Sequence, residues 1–508
     1  MLPKHSIFRN ALLLTAIDLL LRGISMSFQI YLSGVIGAAG LGLLQLVAAV
    51  GTLGMTLGLS GVRTAVMYLC AEEYGKRRPG GMRHVMRLCI LWSSVFSILT
   101  AAALWGFSNQ LAAVWLKDLR AASGLRILAL SLPVECLVCV LCGYFTACGK
   151  LRRLACVEVA ERLVSLALTF LLLRLWAHSE LERACCSLLL GGGGAAVFSA
   201  VWLGLLMRKD FRQYPPVPQP PQLPRRLCRL CVPLARGDYL RSGLRTLEQL
   251  LIPLGLERSG GSTGSAMAAY GTIHAMVFPI LMFPAAIIFS LSELLIPELA
   301  RCRAEGNSRR ILHLTGRSLR LGPVFACGVS ALQFLLARPL GMLFYQSEEA
   351  GHYLRLFAPL IVILYADALV DGMCKGLGQQ TANVRNNTIT SLLDVALLYL
   401  LLPRWGIGGY FFTFVLTHAL NFYLSLRLLL DASGSALPLG PLAKTALCAL
   451  ASAAACLLLP ERGQCLLQIL RTCGLFLAAY LPLLYLTGAL VPNDRRWLRR
   501  TLSRGKGH

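Results

Sequence analysis

Charge is scarce in this 508-residue chain: 14% of its residues are Asp, Glu, Lys or Arg, where soluble proteins carry about 25%. Acidic residues are the scarcer sign, 24 against 49 Lys and Arg. Long polar loops are missing too. A membrane glycosyltransferase or polymerase needs a sizeable loop carrying catalytic carboxylates or a metal site. The acidic pair in the predicted outer loops, Glu348 and Glu349, has no metal-ligating company. The chain is therefore read as a non-enzyme that carries no cofactor. Aromatic residues make up 8%, and no basic platform interleaved with aromatics occurs, so nucleic acid is excluded as a partner despite a net charge of +25.

A disulfide framework is also absent, since most of the 18 cysteines fall inside apolar runs. Cys136, Cys139 and Cys142 form C-x-x-C-x-x-C in VECLVCVLCG, and Cys228 and Cys231 form a second C-x-x-C. Neither sits in a knuckle with further ligands, so both read as packing faces of helices.

What the chain has is apolar sequence, 56% of residues with a mean hydropathy of +0.64. Runs of the length needed to cross the hydrocarbon recur from end to end, about 14 of them. The fold class expected is an all-α integral membrane protein. The first run starts after Lys4, His5 and Arg9, continues far past a signal-peptide core and is read as a retained span.

The proposed organisation is an N-lobe over 1–207 with spans 1–6, a Pro- and Arg-rich linker over 208–230, a C-lobe over 231–430 with spans 7–12, spans 13–14 over 431–490, and a basic tail over 491–508. Lys and Arg favour the loops on the side of the N-terminus by about three to one, which predicts cytoplasmic termini and contact of the linker and tail with anionic lipid.

The two lobes read as copies. Asp18, Leu20, Gly23 and Gln29 align with Asp238, Leu240, Gly243 and Gln249. After one loop insertion, Gly42, Gly143, Gly149 and Trp176 align with Gly271, Gly372, Gly378 and Trp405. Parallel repeats of six spans place a substrate site between them near the midplane.

Charge inside the spans is where function is sought. In GDYLRSGLRTLEQLL, Asp238, Arg241, Arg245 and Glu248 share one helix face. Each charge at a helix centre costs about 2.5–3.5 kcal/mol and each Leu returns about 0.3–0.6. Facing lipid, this stripe would outweigh its leucines. It must face protein or water. Asp18 and Arg22 repeat the pattern in the first span, and Arg63 ends the second. The tenth span carries Asp367, Asp371 and Lys375 at successive turns, and the eleventh has Asp394 one turn after Thr390.

Two readings stand for these groups. As salt bridges they would hold helices together and bind nothing. As cavity lining they would bind substrate, the default for intramembrane charge because apolar packing holds helices at less cost. Arginine forks at Arg22, Arg241 and Arg245 suit an anionic headgroup such as a lipid pyrophosphate carrying sugar. Asp394 with Thr390 suits Na⁺ or a proton as coupling ion. Glu158, Glu161 and Arg162 read as structural, His274 and His418 as packing histidines rather than proton relays, and GGGG at 191–194 as a close helix approach or a kink.

The segments LGLLQLVAAVGTLGMTLGLSGVRTAVMYLCAEEYGK, FPAAIIFSLSELLIPELARCRAEGN and GLGQQTANVRNNTITSLLDVALLYLLLPRWGIGGYFFTF resemble the polysaccharide flippases of the multidrug/oligosaccharidyl-lipid/polysaccharide exporter superfamily. Within it the chain is most similar to the stage V sporulation protein B group, itself similar to lipid II flippases. The resemblance implies 14 helices in two lobes that open alternately to each side of a bacterial cytoplasmic membrane, acting as a monomer. It implies a lipid-linked (undecaprenyl-pyrophosphate) glycan as cargo, including peptidoglycan precursor for a spore cortex. The family's cavity cations fall on Arg22, Arg241 and Arg245, with Arg63 the sole cation of the second span. The ion-coupling candidates are Asp18, Asp238, Glu248, Asp367, Asp371, Thr390 and Asp394. The alternative is a cation-coupled multidrug exporter of the same superfamily, against which the arginine excess counts.

Overall fold

The computed structural model describes residues 4–75, 79–176, 181–215, 222–458 and 465–489, with the side chains of the first helix described from residue 19 onward. Among these residues the secondary structure is helical throughout. In chain order the helices are α1 (Lys4–Leu59), α2 (Val62–Gly75), α3 (Met82–Gly106), α4 (Ser108–Gln110), α5 (Ala121–Ala147), α6 (Leu151–Trp176), α7 (Leu181–Gln213), α8 (Leu223–Arg258) and α9 (Thr263–Gly271). There follow α10 (Phe278–Met282), α11 (Ala285–Ala304), α12 (Ser308–Leu335), α13 (Ala337–Tyr345), α14 (Glu348–Phe357), α15 (Ile361–Gly376), α16 (Gln380–Ser433), α17 (Leu439–Leu457) and α18 (Cys465–Leu486). A π-helical turn, Thr272–Val277, joins α9 to α10. Two of the longest helices are broken by a glycine outside helical geometry, α1 at Gly37 and α16 at Gly406.

Ten helical segments are long and apolar enough to cross a membrane. Their outward residues are large and apolar (Leu91, Ile98, Leu99, Leu130, Val201 and Leu450 are all exposed), as a lipid solvent requires. This is a multi-span membrane protein. Three helices of 18 residues or more, α6, α8 and α11, fall outside the ten, and each carries charged residues.

Two compact units emerge from the contacts. Of the described residues, one comprises 16–271 with 398–406, the other 272–397 with 407–489 and 4–15. In the first unit α7 packs along α5 and α6, and α3 along α5. Three of the four glycines at 191–194 make that packing possible. A Cβ on Gly191 would lie 3.0 Å from the Thr169 backbone nitrogen, one on Gly193 3.1 Å from Ser131, and one on Gly194 2.9 Å from Leu168. The helix stays unbroken there, so the run serves close approach. Of the cysteine stripe, Cys136 is fully buried and Cys139 and Cys142 partly so. No group of three or more metal-ligating side chains forms among the described residues.

Polar ties secure the helix ends of this unit. Asp210, buried near the end of α7, receives Lys150 at 2.6 Å and Arg153 at 3.1 Å, and Arg226 meets Glu72 at 2.6 Å. α7 runs on to Gln213 and α8 starts at Leu223, so the stretch outside helices is shorter than 208–230. Much of it, 216–221, lies outside the described residues, as does the basic tail over 491–508.

Lys117 and Glu257 pair at 2.6 Å, and the hydrogen bond from Lys117 holds the Glu257 carboxyl below its ordinary value of 4.5 against the opposing effect of burial. A depressed carboxyl contributes stability above its unfolded pKa and loses it as pH falls through the folded one. Thermal unfolding of detergent-solubilised protein should therefore drop by a small increment below pH 4.5. Lys117→Ala should remove that increment and leave the neutral-to-alkaline part of the curve parallel to wild type.

In the second unit α11 packs on α15, and α12 lies against α15 and α17. One local feature recurs in both units. Gly149 and Gly378 end α5 and α15 with φ of 68° and 67°. Around them the amides of Lys150 and Gln379 reach back to the carbonyls of Phe145 and Cys374, the same Schellman cap twice.

Candidate functional site

Arg22, Arg63, Arg241 and Arg245 all fall in the 16–271 unit, whereas Asp367, Asp371, Thr390 and Asp394 fall in the other. The sequence pattern already separates the two chemistries; the fold assigns each to its own compact body.

α8 carries its stripe on one side of a 36-residue helix. Leu244, Thr246, Leu250 and Ile252 are buried, and the Thr246 hydroxyl points to the Ala49 carbonyl at 3.4 Å. Tyr239 shares a hydrogen bond with Ser60 just before Gly61, whose absent side chain lets α2 begin against the α8 backbone at 231–235. The charged side is left open. Arg241 and Asp238 lie 3.5 Å apart with side chains 50% and 44% exposed, a loose i,i+3 pair of the kind that contributes little. Arg245 is exposed and has no ion-pair partner among the described residues. Glu248 is half-buried and has a partner.

Arg22 is half-buried in α1 and engaged; the side chain of Asp18 lies outside the described residues. An apolar cleft of about 530 Å³ lined by Leu20, Gly23, Ile24, Phe28, Tyr31 and Phe170 opens on the α1 face opposite Arg22, so the cleft and the cation are separate features. Arg63 is exposed at the start of α2, with Glu158, Cys139 and Cys142 in its field. Glu161 accepts from Ser199 at 2.7 Å and Glu135 from Ser131 at 2.8 Å.

The second unit holds a denser polar set. Asp394, 7% exposed, accepts from the Thr417 hydroxyl at 2.6 Å. One turn earlier the Thr390 hydroxyl meets Asn421 Oδ1 at 3.2 Å, and Asn421 Nδ2 donates to Asp367 at 3.1 Å. Asp371 takes Lys375 at 2.5 Å and a hydrogen bond from Asn383, which in turn accepts from Ser425 at 3.0 Å. Thr417, Asn421, Asn383 and Ser425 were not singled out by the sequence. For Thr417, Asn421 and Ser425 the signal was a spacing of four residues in THALNFYLS, but lone Thr and Ser inside a helix bond their own i−4 carbonyl so readily that the spacing alone does not mark a site.

Comparison with known proteins was consistent in direction. The MatE family model matches residues 16–171 and 262–400. The chain is 21% identical over 416 residues to stage V sporulation protein B of Bacillus subtilis (strain 168), covering 80% of each. Its fold is similar to that of the lipid II flippase MurJ in an inward closed conformation, with a TM-score of 0.73 at 12% identity over 94% of this chain and 99% of that one. An inward-facing multidrug resistance MATE transporter gives a TM-score of 0.58 at 16% identity, covering 80% and 93%.

Proposed function

The chain belongs to the MatE family of membrane transporters, and we propose that it moves an undecaprenyl-pyrophosphate-linked glycan across the bacterial cytoplasmic membrane by alternating access. It is a transporter and not an enzyme. The observation that carries the reading is Arg245: an exposed arginine on the charged stripe of α8, with no ion-pair partner among the described residues. Such a group costs about 2.5–3.5 kcal/mol at a helix centre unless something anionic meets it. Arg241, held only loosely, stands one turn away and doubles the donor set to the geometry a pyrophosphate wants. Arg22 and Arg63 complete the proposed cradle. Asp18, Asp238 and Glu248 tune its charge.

Asp394 with Thr390 takes the coupling ion, Na⁺ or a proton, and Asp367 and Asp371 flank it. Fourteen spans follow if the ten apolar segments are supplemented by α6 and α8, α11 is taken as the continuation of the 263–282 segment, and the broken α1 and α16 count as two each. The repeated Schellman cap at Gly149 and Gly378 supports lobes over 1–207 and 231–430 that arose as copies. The termini are cytoplasmic, the basic linker and tail rest on anionic lipid, and the protein acts as a monomer. The glycan we propose is peptidoglycan precursor, as the sequence resemblance implies.

Native mass spectrometry of the purified protein tests this reading. An undecaprenyl-pyrophosphate glycan should bind saturably and in competition with inorganic pyrophosphate, while organic cations should not. Saturable binding of cations alone would replace the proposal with the multidrug reading.

A further inference from the structure

After its break at Gly406, α16 presents Tyr410, Thr413, Thr417, Asn421 and Ser425 at steps of three, four, four and four. At 100° per residue all five project within about 120° of one another. The ladder from Tyr410 to Ser425 is about 22 Å long, most of the thickness of a hydrocarbon core. Tyr410, Thr413, Thr417 and Ser425 are 2%, 0%, 3% and 1% exposed. A row of five polar side chains in such a setting is expensive unless it has work to do.

Four of the five rungs touch an ionisable group or lead to one, all within the same compact unit. Tyr410 shares a hydrogen bond of 3.1 Å with His274 Nε2. Thr417 donates to Asp394 at 2.6 Å. Asn421 bridges Thr390 and Asp367. Ser425 leads through Asn383 to Asp371, which also holds Lys375. The fifth rung, Thr413, is wholly buried and its hydroxyl has no hydrogen-bond partner among the described residues, although it sits in the gap between Tyr410 and Thr417. Asp367 keeps a second carboxylate oxygen equally unpartnered among them.

His274 lies on the π-helical turn, a local irregularity that recurs at functional positions. Its ring is lined by Phe278 at 5.2 Å and Tyr410 at 5.9 Å. The ionisable residues of α14, which packs on this turn, are Glu348, Glu349, His352, Tyr353 and Arg355. Of these, Glu348 is paired with Arg338 at 3.0 Å, and Arg355 lies over the Phe334 ring at 4.8 Å. His418, on the edge of the same face, has its Nδ1 on the Phe414 carbonyl and stacks on Phe414 at 3.9 Å.

We infer that this face of α16 is a proton route through the unit. The His274–Tyr410 pair receives the proton at one end, Asp394 holds it midway, and Asp367 with Asp371 passes it out at the other end. Whichever of His274 and Tyr410 carries the shared proton, the other accepts it. At Thr413 a water or a hydroxyl rotation closes the gap. Each hydroxyl gains one proton as it gives up another, Asn421 and Asn383 orient the carboxyls without carrying the proton, and water closes the step from Asp394 to Asp367, so one positive charge moves and no group is left altered. The inference rests on the proposed ion coupling in one respect: it makes the proton the coupling ion.

The test needs no substrate, so it stands apart from the flippase reading. The carboxylic acid band of Asp394, assigned with Asp394→Asn, is followed by infrared spectroscopy of purified protein in lipid nanodiscs between pH 4 and 9. Its shift on transfer to D₂O gives the rate at which the buried proton exchanges. The route predicts a band that appears on acidification and exchanges promptly in wild type. Tyr410→Phe and Thr413→Val, each removing one hydroxyl from a near-isosteric side chain, should each slow that exchange about tenfold with unchanged helicity and melting temperature. A carboxylate that never protonates in this range, or exchange equally fast in both variants, would overturn the inference. Absence of glycan transport would sink the flippase reading and leave this result standing.

Discussion

Replacing Arg241 and Arg245 together with alanine should weaken binding of an undecaprenyl-pyrophosphate glycan by about 100-fold or more. A hydrogen bond to a charged group is worth about 1.5–3 kcal/mol, so two arginines supply about 3–6 kcal/mol. At 1.4 kcal/mol per factor of ten, that is about 100-fold to 10,000-fold. Native mass spectrometry titration of the double variant measures it. Arg245→Lys should fall between, since an ammonium keeps the charge but loses the bidentate fork. Asp238→Asn separates the two meanings of the stripe. If Arg241 serves Asp238, as in a salt bridge, the substitution destabilises the protein and leaves binding alone. If Arg241 serves a ligand, freeing it from its 3.5 Å partner strengthens binding. The account requires the second outcome.

Asp394→Asn should abolish the response of transport to an ion gradient while leaving substrate binding within about threefold. The carboxylate is 7% exposed and accepts from Thr417 at 2.6 Å, a bond an asparagine oxygen can still accept, so the fold loses little. What disappears is the charge that attracts Na⁺ or a proton. Coupling free energies run to about 3 kcal/mol, so the driven rate should fall by up to about 150-fold. Binding is spared because the arginines, and not Asp394, are the groups proposed to hold the cargo. Parallel measurements of ion-driven translocation and of glycan affinity in the same variant check both halves.

Much of the architecture was legible because a lipid solvent imposes so few solutions. Apolar runs of span length had to be helices, and small residues such as those at 191–194 had to mark close approach. The α8 stripe was legible for the same reason: charge stands out where charge is expensive. Other features were hidden. Gly37 and Gly406 break α1 and α16 without leaving a loop, so the apolar pattern runs on through both. The π-helical turn at 272–277 has no distinct composition. The polar ladder of α16 was visible as spacing but not as chemistry, since Asp394 and Thr417 meet across 23 residues of sequence and Asp371 and Asn383 across a helix end. His274 reads as a packing histidine, and its hydrogen bond to Tyr410 is visible only in the structure.

The central claim is that this chain carries a pyrophosphate-linked glycan across a bilayer. Its most direct test is translocation of a fluorescent undecaprenyl-pyrophosphate glycan in proteoliposomes of the purified protein under an imposed ion gradient, scored by protection of the headgroup from an external quencher. The account predicts gradient-dependent translocation by wild type, absent in the Arg241→Ala/Arg245→Ala and Asp394→Asn variants. Folded wild-type protein that leaves the glycan in place under every gradient, and moves an organic cation in the same vesicles, would contradict it.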